Sequence, residues 1–184
     1  MECADKGQFG LMGMTLFIGW TISAVFVARI SDIYGRKNVY LVNMLVQLVA
    51  LLLIIFAQTF GVMLSGLFLI GVCSAGRWTV TYIYFMEFMT EAGIKKYAGL
   101  VNASAALSLL IGAFTFQVVT KNTIALEYLA AVLNVISGLM GFFLLPESPK
   151  WLVGQGRMEE ARAGYVYIAK LNGQEVQGIE TWKF

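Results

Sequence analysis

Hydrophobic residues along this chain form long uncharged runs, separated by short stretches that carry charges or turn residues. No Asp, Glu, Lys or Arg occurs in 7–28, 38–76, 97–120 or 128–146. A helix crosses the hydrocarbon core of a bilayer in about 20 residues, so the second run is long enough for two crossings. A polar turn, Gln-Thr-Phe-Gly at 58–61, divides that run. The pattern therefore predicts five transmembrane helices, at about 8–30, 38–57, 61–88, 97–119 and 124–145.

The segments outside these helices complete the predicted fold. Pro146 and Pro149 follow the fifth helix and should end it, because proline breaks a helix. Further on, charged and apolar residues alternate in a way that predicts a short helix at 157–171, lying against the inner membrane face. We therefore expect an all-α, polytopic membrane protein with an outward-facing tail at 1–7, a five-helix bundle at 8–145 and an inner-side tail at 146–184.

Composition supports a membrane protein and argues against several other classes. Of the 184 residues, 59% are hydrophobic and only 13% are charged, whereas soluble domains have about 25% charged residues. The net charge of +2 is too small to favour a nucleic-acid partner. The sequence has no histidine and two cysteines, so the usual neutral-pH base and the usual metal ligands are missing. We expect no catalytic residues, no metal, no cofactor and no enzymatic activity.

The distribution of basic residues predicts the orientation in the membrane. The loops after the first and third helices, together with the C-terminal tail, hold ten of the thirteen Lys and Arg residues. Lys6 and Lys121 lie on the opposite side, and Arg77 lies within the third helix. The positive-inside rule then places the N-terminus outside and the C-terminus in the cytosol, or in the matrix if the membrane is the mitochondrial inner membrane.

Three motifs occur in the loops and in the third helix. The chain reads Ala-Arg-Ile-Ser-Asp-Ile-Tyr-Gly-Arg-Lys at 28–37, which includes Asp32, Gly35, Arg36 and Lys37. The third helix contains Gly-Leu-Phe-Leu-x-Gly at 66–71 and then Tyr-x-x-Glu at 84–87. The segment after the fifth helix reads Pro-Glu-Ser-Pro-Lys-Trp-Leu at 146–152, followed by Gly-Arg-Met-Glu-Glu-Ala at 156–161.

In this order, the motifs resemble the major facilitator superfamily of transporters. The first is similar to the loop between family helices two and three, and the second to family helix four. The third is similar to the segment after family helix six in sugar porters and organic cation transporters. Three positions depart from the family pattern: Ala28 and Leu67 replace a glycine and an arginine, and Ile33 replaces a basic residue.

The resemblance implies a set of charged residues at the inner end of the helices. In the family, such residues form a network of salt bridges that gates the inner side. Carried over, the network comprises Asp32, Gly35, Arg36, Lys37, Glu87, Glu147, Lys150 and Arg157. The alternative is that these are interfacial charges that only fix the topology, since exposed ion pairs contribute only about 0–1 kcal/mol each.

The resemblance also predicts what this chain does. Its five helices match family helices two to six, whereas solute in the family sits between two halves of the protein. We therefore expect a chain that does not transport alone and acts as an accessory or scaffold subunit of a larger membrane complex. The alternative is the N-terminal part of a transporter for a small organic solute, organic cation or sugar-like, completed by another chain. The expected partners are the lipid bilayer and other membrane protein chains, with a solute only in the completed assembly, and the resemblance implies the plasma membrane.

Five polar residues within the predicted helices are candidates for a specific role. Interhelical hydrogen bonds are the common role of such groups, and a solute-lined cavity is the alternative. Arg77 could extend to the inner headgroups, bind an anionic group, or pair with an acid on another helix; the family pattern has no motif position for it. The candidates are Arg77, Asn43, Gln47, Asn102 and Asn134.

Overall fold

The computed structural model of the protein describes residues 6–89, 91–119 and 123–173, and regular structure within them is entirely helical. A π-helical turn, Thr115–Val119, continues the fourth helix. Three predicted features fall outside the described residues: most of the tail at 1–7, Lys121, and the part of the tail at 146–184 that follows residue 173. The helices are α1 Lys6–Tyr34, α2 Arg36–Ile55, α3 Phe60–Phe88, α4 Glu91–Phe114, α5 Thr123–Leu144, α6 Pro149–Gly154 and α7 Met158–Leu171.

Five of the helices in the described ranges are long and apolar enough to cross a membrane, which confirms the predicted number of spans. Their ends differ from the predicted ones. α1 continues to Tyr34 and α2 begins at Arg36, so Gly35 alone separates them. α4 begins at 91 rather than near 97. Charges mark where the hydrocarbon ends, but a helix can continue into the headgroup region because its hydrogen bonds are internal.

The segment after α5 forms two short helices, of which only the second was predicted. α7 matches the predicted helix at 157–171 to within one residue. α6 begins with Pro149 at its first position, and the Ser148 hydroxyl accepts a hydrogen bond from the Trp151 backbone N–H at 3.3 Å. Proline at the first position and serine as N-cap both favour a helix start, because that proline lacks an N–H that would otherwise be unpaired.

α3 is the central helix, and it packs most closely against α1. Gly19 of α1 lies against the Phe68 carbonyl of α3, and Gly71 of α3 lies against the Leu16 carbonyl of α1. A Cβ atom at either glycine would collide with the backbone of the opposite helix. Close backbone approach at small residues holds membrane helices together, since lipid tails provide no hydrophobic drive for association.

α2 packs against the other side of α3 and also contacts α5. Gly76 of α3 lies against the side chain of Asn43 of α2, and Gly141 of α5 lies against the ring of Tyr40. The Tyr40 hydroxyl shares a hydrogen bond of 2.9 Å with the Ser137 hydroxyl. α2 therefore lies between α3 and α5. A cluster of buried apolar residues packs in its first half: Val39, Tyr40 and Met44, together with Val80 of α3.

α4 has a different environment from the other long helices. No residue from Gly93 to Val118 is buried by the described parts of the chain. The hydroxyls of Ser104 and Ser108 each donate to a carbonyl of their own helix, at 2.7 Å. Its small and polar residues therefore remain available for contact with other helices.

Candidate functional site

A glycine turn positions the central residue of the first motif. Gly35 has a φ of 96°, in the left-handed region that favours glycine. A Cβ atom there would also lie 2.5 Å from a carboxylate oxygen of Glu147. This turn reverses the chain between α1 and α2 in one residue, which brings Arg36 over the end of α1.

The Arg36 side chain joins three helices through its guanidinium. Nε and Nη2 donate to Oε1 of Glu87 on α3, at 3.1 and 3.0 Å. Nη1 donates to the Asp32 carboxylate and, at 3.1 Å, to the Ser31 hydroxyl, both on α1. The side chains of Arg36 and Glu87 are 10% and 16% exposed, whereas Asp32 is 64% exposed. The contact of Arg36 with Glu87 is the stronger of its two ion pairs, because the Glu87 carboxylate is shielded from water and the hydrogen bonds to it are charge-assisted.

Glu147 contacts the same region through backbone groups. Its Oε1 accepts the N–H of Arg36 at 2.9 Å, the N–H of Lys37 at 3.0 Å, and the N–H of Ser148 at 3.0 Å. The first N–H groups of a helix have no partner within the helix and carry partial positive charge. Glu147 thus supplies a carboxylate to the N-terminus of α2 from the segment that follows α5.

Two further hydrogen bonds fasten that segment to the bundle. The Trp151 indole N–H donates to the Asp32 carbonyl at 2.7 Å. The Tyr84 hydroxyl of α3 donates to the Pro146 carbonyl. One connected polar cluster therefore joins the C-terminal ends of α1 and α3, the N-terminus of α2 and the start of α6. We call its central residues the Arg36 network (Asp32, Gly35, Arg36, Glu87 and Glu147).

Three other residues of the predicted gate set lie beside this network or apart from it. The Lys37 amine donates to the Phe142 carbonyl at 3.0 Å and lies 5.7 Å from the centre of the Phe142 ring. Arg157 pairs with Glu160 on α7 at 2.6 Å. Lys150 is exposed and forms no ion pair with any residue described.

Sequence reasoning missed one residue that contacts the Arg36 network. Ser31 is fully buried, and its hydroxyl donates to the Ala28 carbonyl at 2.7 Å while it accepts from Arg36. Its position next to Asp32 within the first motif was the available signal, since a small polar residue beside a charged cluster is suited to complete its hydrogen bonds.

The intramembrane polar residues have separate environments. Arg77 Nη1 donates to Gln47 Oε1 at 2.8 Å, which links α3 to α2. Asn134 Nδ2 donates to the Met44 sulfur at 3.4 Å, which links α5 to α2. Asn43 is buried against α3, and Asn102 is exposed on α4.

A cavity of about 360 Å³ lies between the second half of α3 and its neighbours. Arg77 is the charged residue among those that line it, and the walls are mostly aromatic or apolar. The described residues hold no group of three His, Cys, Asp or Glu side chains suited to a metal ion. The lining residues are Tyr40 and Met44 of α2; Arg77, Trp78, Thr81, Tyr82 and Phe85 of α3; Val101 of α4; and Ser137 of α5.

We expect the substitution Glu147→Ala to lower the free energy of unfolding in detergent micelles by about 1–2 kcal/mol, as loss of a helix cap does. The reason is that two N–H groups at the start of α2 lose their acceptor. Glu159→Ala is the control, because Glu159 is exposed on α7 and its one ion pair among the described residues is with Arg162. Equal stability of the two variants in an SDS titration would contradict the capping role.

Comparison with known proteins identifies relatives along nearly the whole chain. A sequence model described as Major Facilitator Superfamily matches residues 3–182. Solute carrier family 22 member 2 of Rattus norvegicus is 30% identical over 177 residues, and the human protein of the same name is 25% identical over 179 residues. Vacuolar protein sorting-associated protein 73 of Saccharomyces cerevisiae is 25% identical over 189 residues. These matches cover 96% of this chain but only 31%, 31% and 37% of the relatives, so the chain spans about a third of their length.

Proposed function

This chain belongs to the Major Facilitator Superfamily, and from that membership we propose that it forms part of the N-terminal half of a secondary transporter for a small organic solute. In this role it works together with further membrane helices and does not transport alone. The observation that carries the proposal is the Arg36 network, in which Arg36 bonds to both Asp32 and Glu87 while Glu147 caps the same turn.

The network supports a gating role because the two ion pairs of Arg36, with Glu87 and with Asp32, differ in strength. The contact between Arg36 and Glu87 is shielded and bidentate, and it holds α2 against α3. Asp32 is mostly exposed, so its pair with Arg36 is weak and can exchange partners. Alternating access requires contacts at one end of the bundle that form and break as one half rocks against the other. An exposed carboxylate beside a fixed guanidinium is suited to that exchange.

The orientation of the gate follows from the basic residues. Most of the Lys and Arg lie on the side of the loops after the first and third helices and of the C-terminal tail. This side includes Arg36, Lys37, Lys150 and Arg157. By the positive-inside rule, this end faces the cytosol. The plasma membrane is the proposed location, by resemblance to the family branch, with the mitochondrial inner membrane as the alternative.

The need for further helices rests on the environment of α4 and of the cavity. No residue of α4 from 93 to 118 is buried by the described parts of the chain, and Trp78 on the cavity wall is 49% exposed. A solute in a transporter must be screened from lipid on all sides while it crosses. The likeness of the third motif to organic cation transporters and sugar porters makes a small organic solute the proposed cargo.

The exposed polar residues on α4 favour a second candidate function. Asn102, Ser104 and Ser108 lie on a helix that is not buried by the described parts of the chain. Small and polar residues mark faces where membrane helices associate. The chain would then be an accessory or scaffold subunit, which binds the helices of an unrelated membrane complex through this face.

Extraction in a mild detergent, followed by identification of all copurifying chains, separates the two candidates. The transporter proposal expects the chain, together with the helices that complete it, to carry labelled tetraethylammonium, glucose or benzoate into sealed liposomes. The same preparation with Arg36→Met should lose at least nine tenths of that flux. Copurification at fixed stoichiometry with unrelated subunits, without flux, would favour the scaffold. Flux by the isolated monomer would contradict the need for further helices.

A further inference from the structure

The position of Arg77 within the membrane is set by its partner. Arg77 lies eleven residues before the end of α3 at Phe88, and Gln47 lies eleven residues after the start of α2 at Arg36. At a rise of 1.5 Å per residue, both lie about 16 Å from the end that carries the Arg36 network. The hydrogen bond of 2.8 Å between them therefore holds the guanidinium level with Gln47 instead of directing it toward headgroups.

Most of the hydrogen-bonding capacity of this guanidinium is unused among the residues that the structure describes. A guanidinium has five N–H donors, and one of them meets Gln47. In residues 6–89, 91–119 and 123–173, no carboxylate lies within 4.0 Å of Arg77. Arg77 is partly buried, and it lines the cavity. A charge at this depth is retained where it meets an opposite charge or lines a pathway.

The cavity around Arg77 offers surfaces for a second chemical feature. Trp78, Tyr82 and Phe85 present aromatic rings on the same stretch of α3, and Ser137 adds a hydroxyl from α5. A volume of about 360 Å³ suits a small organic molecule. The guanidinium lies at this aromatic wall and no carboxylate lines it, so the cavity favours a ligand with an anionic head and an apolar body.

We propose that Arg77 binds the carboxylate of a small organic anion whose apolar part packs against Trp78, Tyr82 and Phe85. This inference rests on the proposed function, because it names the charge of the solute, and it differs from the organic cations or sugars that the sequence motifs suggest. Gln47 is the positioning residue, since it orients the guanidinium through Nη1 and leaves the other donors for the ligand.

Binding of labelled benzoate to the full chain in phosphatidylcholine nanodiscs tests the proposal, and the benzamidinium cation is the matched probe of the same shape. We expect benzoate to bind at least tenfold more tightly than benzamidinium. Arg77→Gln should weaken benzoate binding at least tenfold, and Arg77→Lys should restore part of it because the charge is retained. Arg29→Gln is the matched control, since it removes a guanidinium from an exposed position on α1 and should leave binding unchanged.

The other outcomes overturn the proposal. Preference for benzamidinium, no binding of benzoate, or benzoate binding that Arg77→Gln leaves unchanged would each do so. Loss of benzoate binding when phosphatidylglycerol is added to the discs would assign the site to an anionic lipid. The charge preference of the unaltered chain needs no variant, so a poorly folding variant leaves the test intact. Arg77-dependent binding without flux in the completed assembly would overturn only the proposed function, and flux of a cation independent of Arg77 would overturn only this inference.

Discussion

Replacing Arg36 with methionine should lower the free energy of unfolding by about 3–5 kcal/mol, the range found when one partner of a shielded ion pair is removed. Methionine retains much of the volume and apolar stem, so the loss reports mainly on charge. Glu87 would keep a carboxylate that is 16% exposed and has lost its hydrogen bonds from Arg36. The measurement is equilibrium unfolding of the chain in mixed micelles by SDS, followed by circular dichroism.

A double substitution and a matched control sharpen this test. Adding Glu87→Gln to Arg36→Met should recover about 1–3 kcal/mol, because the unpaired charge is then removed. Arg157→Met is the matched control, because it makes the same substitution at an arginine whose ion pair with Glu160 is about half exposed on both sides. That variant should change stability by at most about 1 kcal/mol. Equal effects of the two arginine substitutions would show that the Arg36 network does not stabilise the bundle.

Replacing Gly71 with alanine should lower the free energy of unfolding by about 1–3 kcal/mol, as overpacking of a close-packed interface does. The added methyl would collide with the Leu16 carbonyl, which belongs to a helix backbone and cannot turn aside. α1 would have to move away from α3. The same SDS titration measures the stability. Disulfide crosslinking between cysteines introduced on α1 and α3 across this interface should become slower in parallel.

Gly112→Ala is the control for this substitution. Gly112 lies on α4, and nothing described lies within 4 Å of a Cβ atom there. In that setting alanine should leave stability unchanged or raise it by up to about 1 kcal/mol, because it restricts the unfolded chain and favours the helix. A destabilisation by Gly112→Ala as large as that by Gly71→Ala would mean that the contact with Leu16 is not the cause.

The five membrane helices were predictable because the bilayer imposes a strong rule. A spanning segment must be long, apolar and helical, so uncharged runs between Lys6 and Arg29 or after Lys37 identify it directly. The exact ends were not predictable from charge. Tyr34, Arg36 and Glu91 are polar or charged, yet each lies within a helix, since the headgroup region tolerates both charge and helical backbone.

The members of the candidate site were easier to identify than their partners. The motifs singled out Arg36, Glu87 and Glu147, but the structure has Glu147 contacting backbone N–H groups rather than the Arg36 side chain. Arg157 was grouped with them by its motif, although its partner is Glu160, three residues further along the chain. A neighbour three residues away on a helix competes effectively with a distant acid.

The pairing of Arg77 with Gln47 illustrates the same limit. Both residues were recognised as intramembrane polar groups, but their contact depends on the register between α2 and α3. That register is set by the short turn at 56–59 and by the pairing of Arg36 with Glu87 at the opposite end. Antiparallel helices fixed at one end bring residues at equal distances from that end to the same level.

The capping of α2 by Glu147 has a consequence for the order of events during synthesis. The N–H of Arg36 and its acceptor are 111 residues apart in the chain. At ribosomal speeds of about 5–20 residues per second, the acceptor emerges about 5–20 s after its donor. Throughout that delay, water or a membrane chaperone must accept the hydrogen bonds of the N–H groups at the start of α2. The segment after α5 supplies the acceptor, so the first hairpin is completed only after the fifth span has been made.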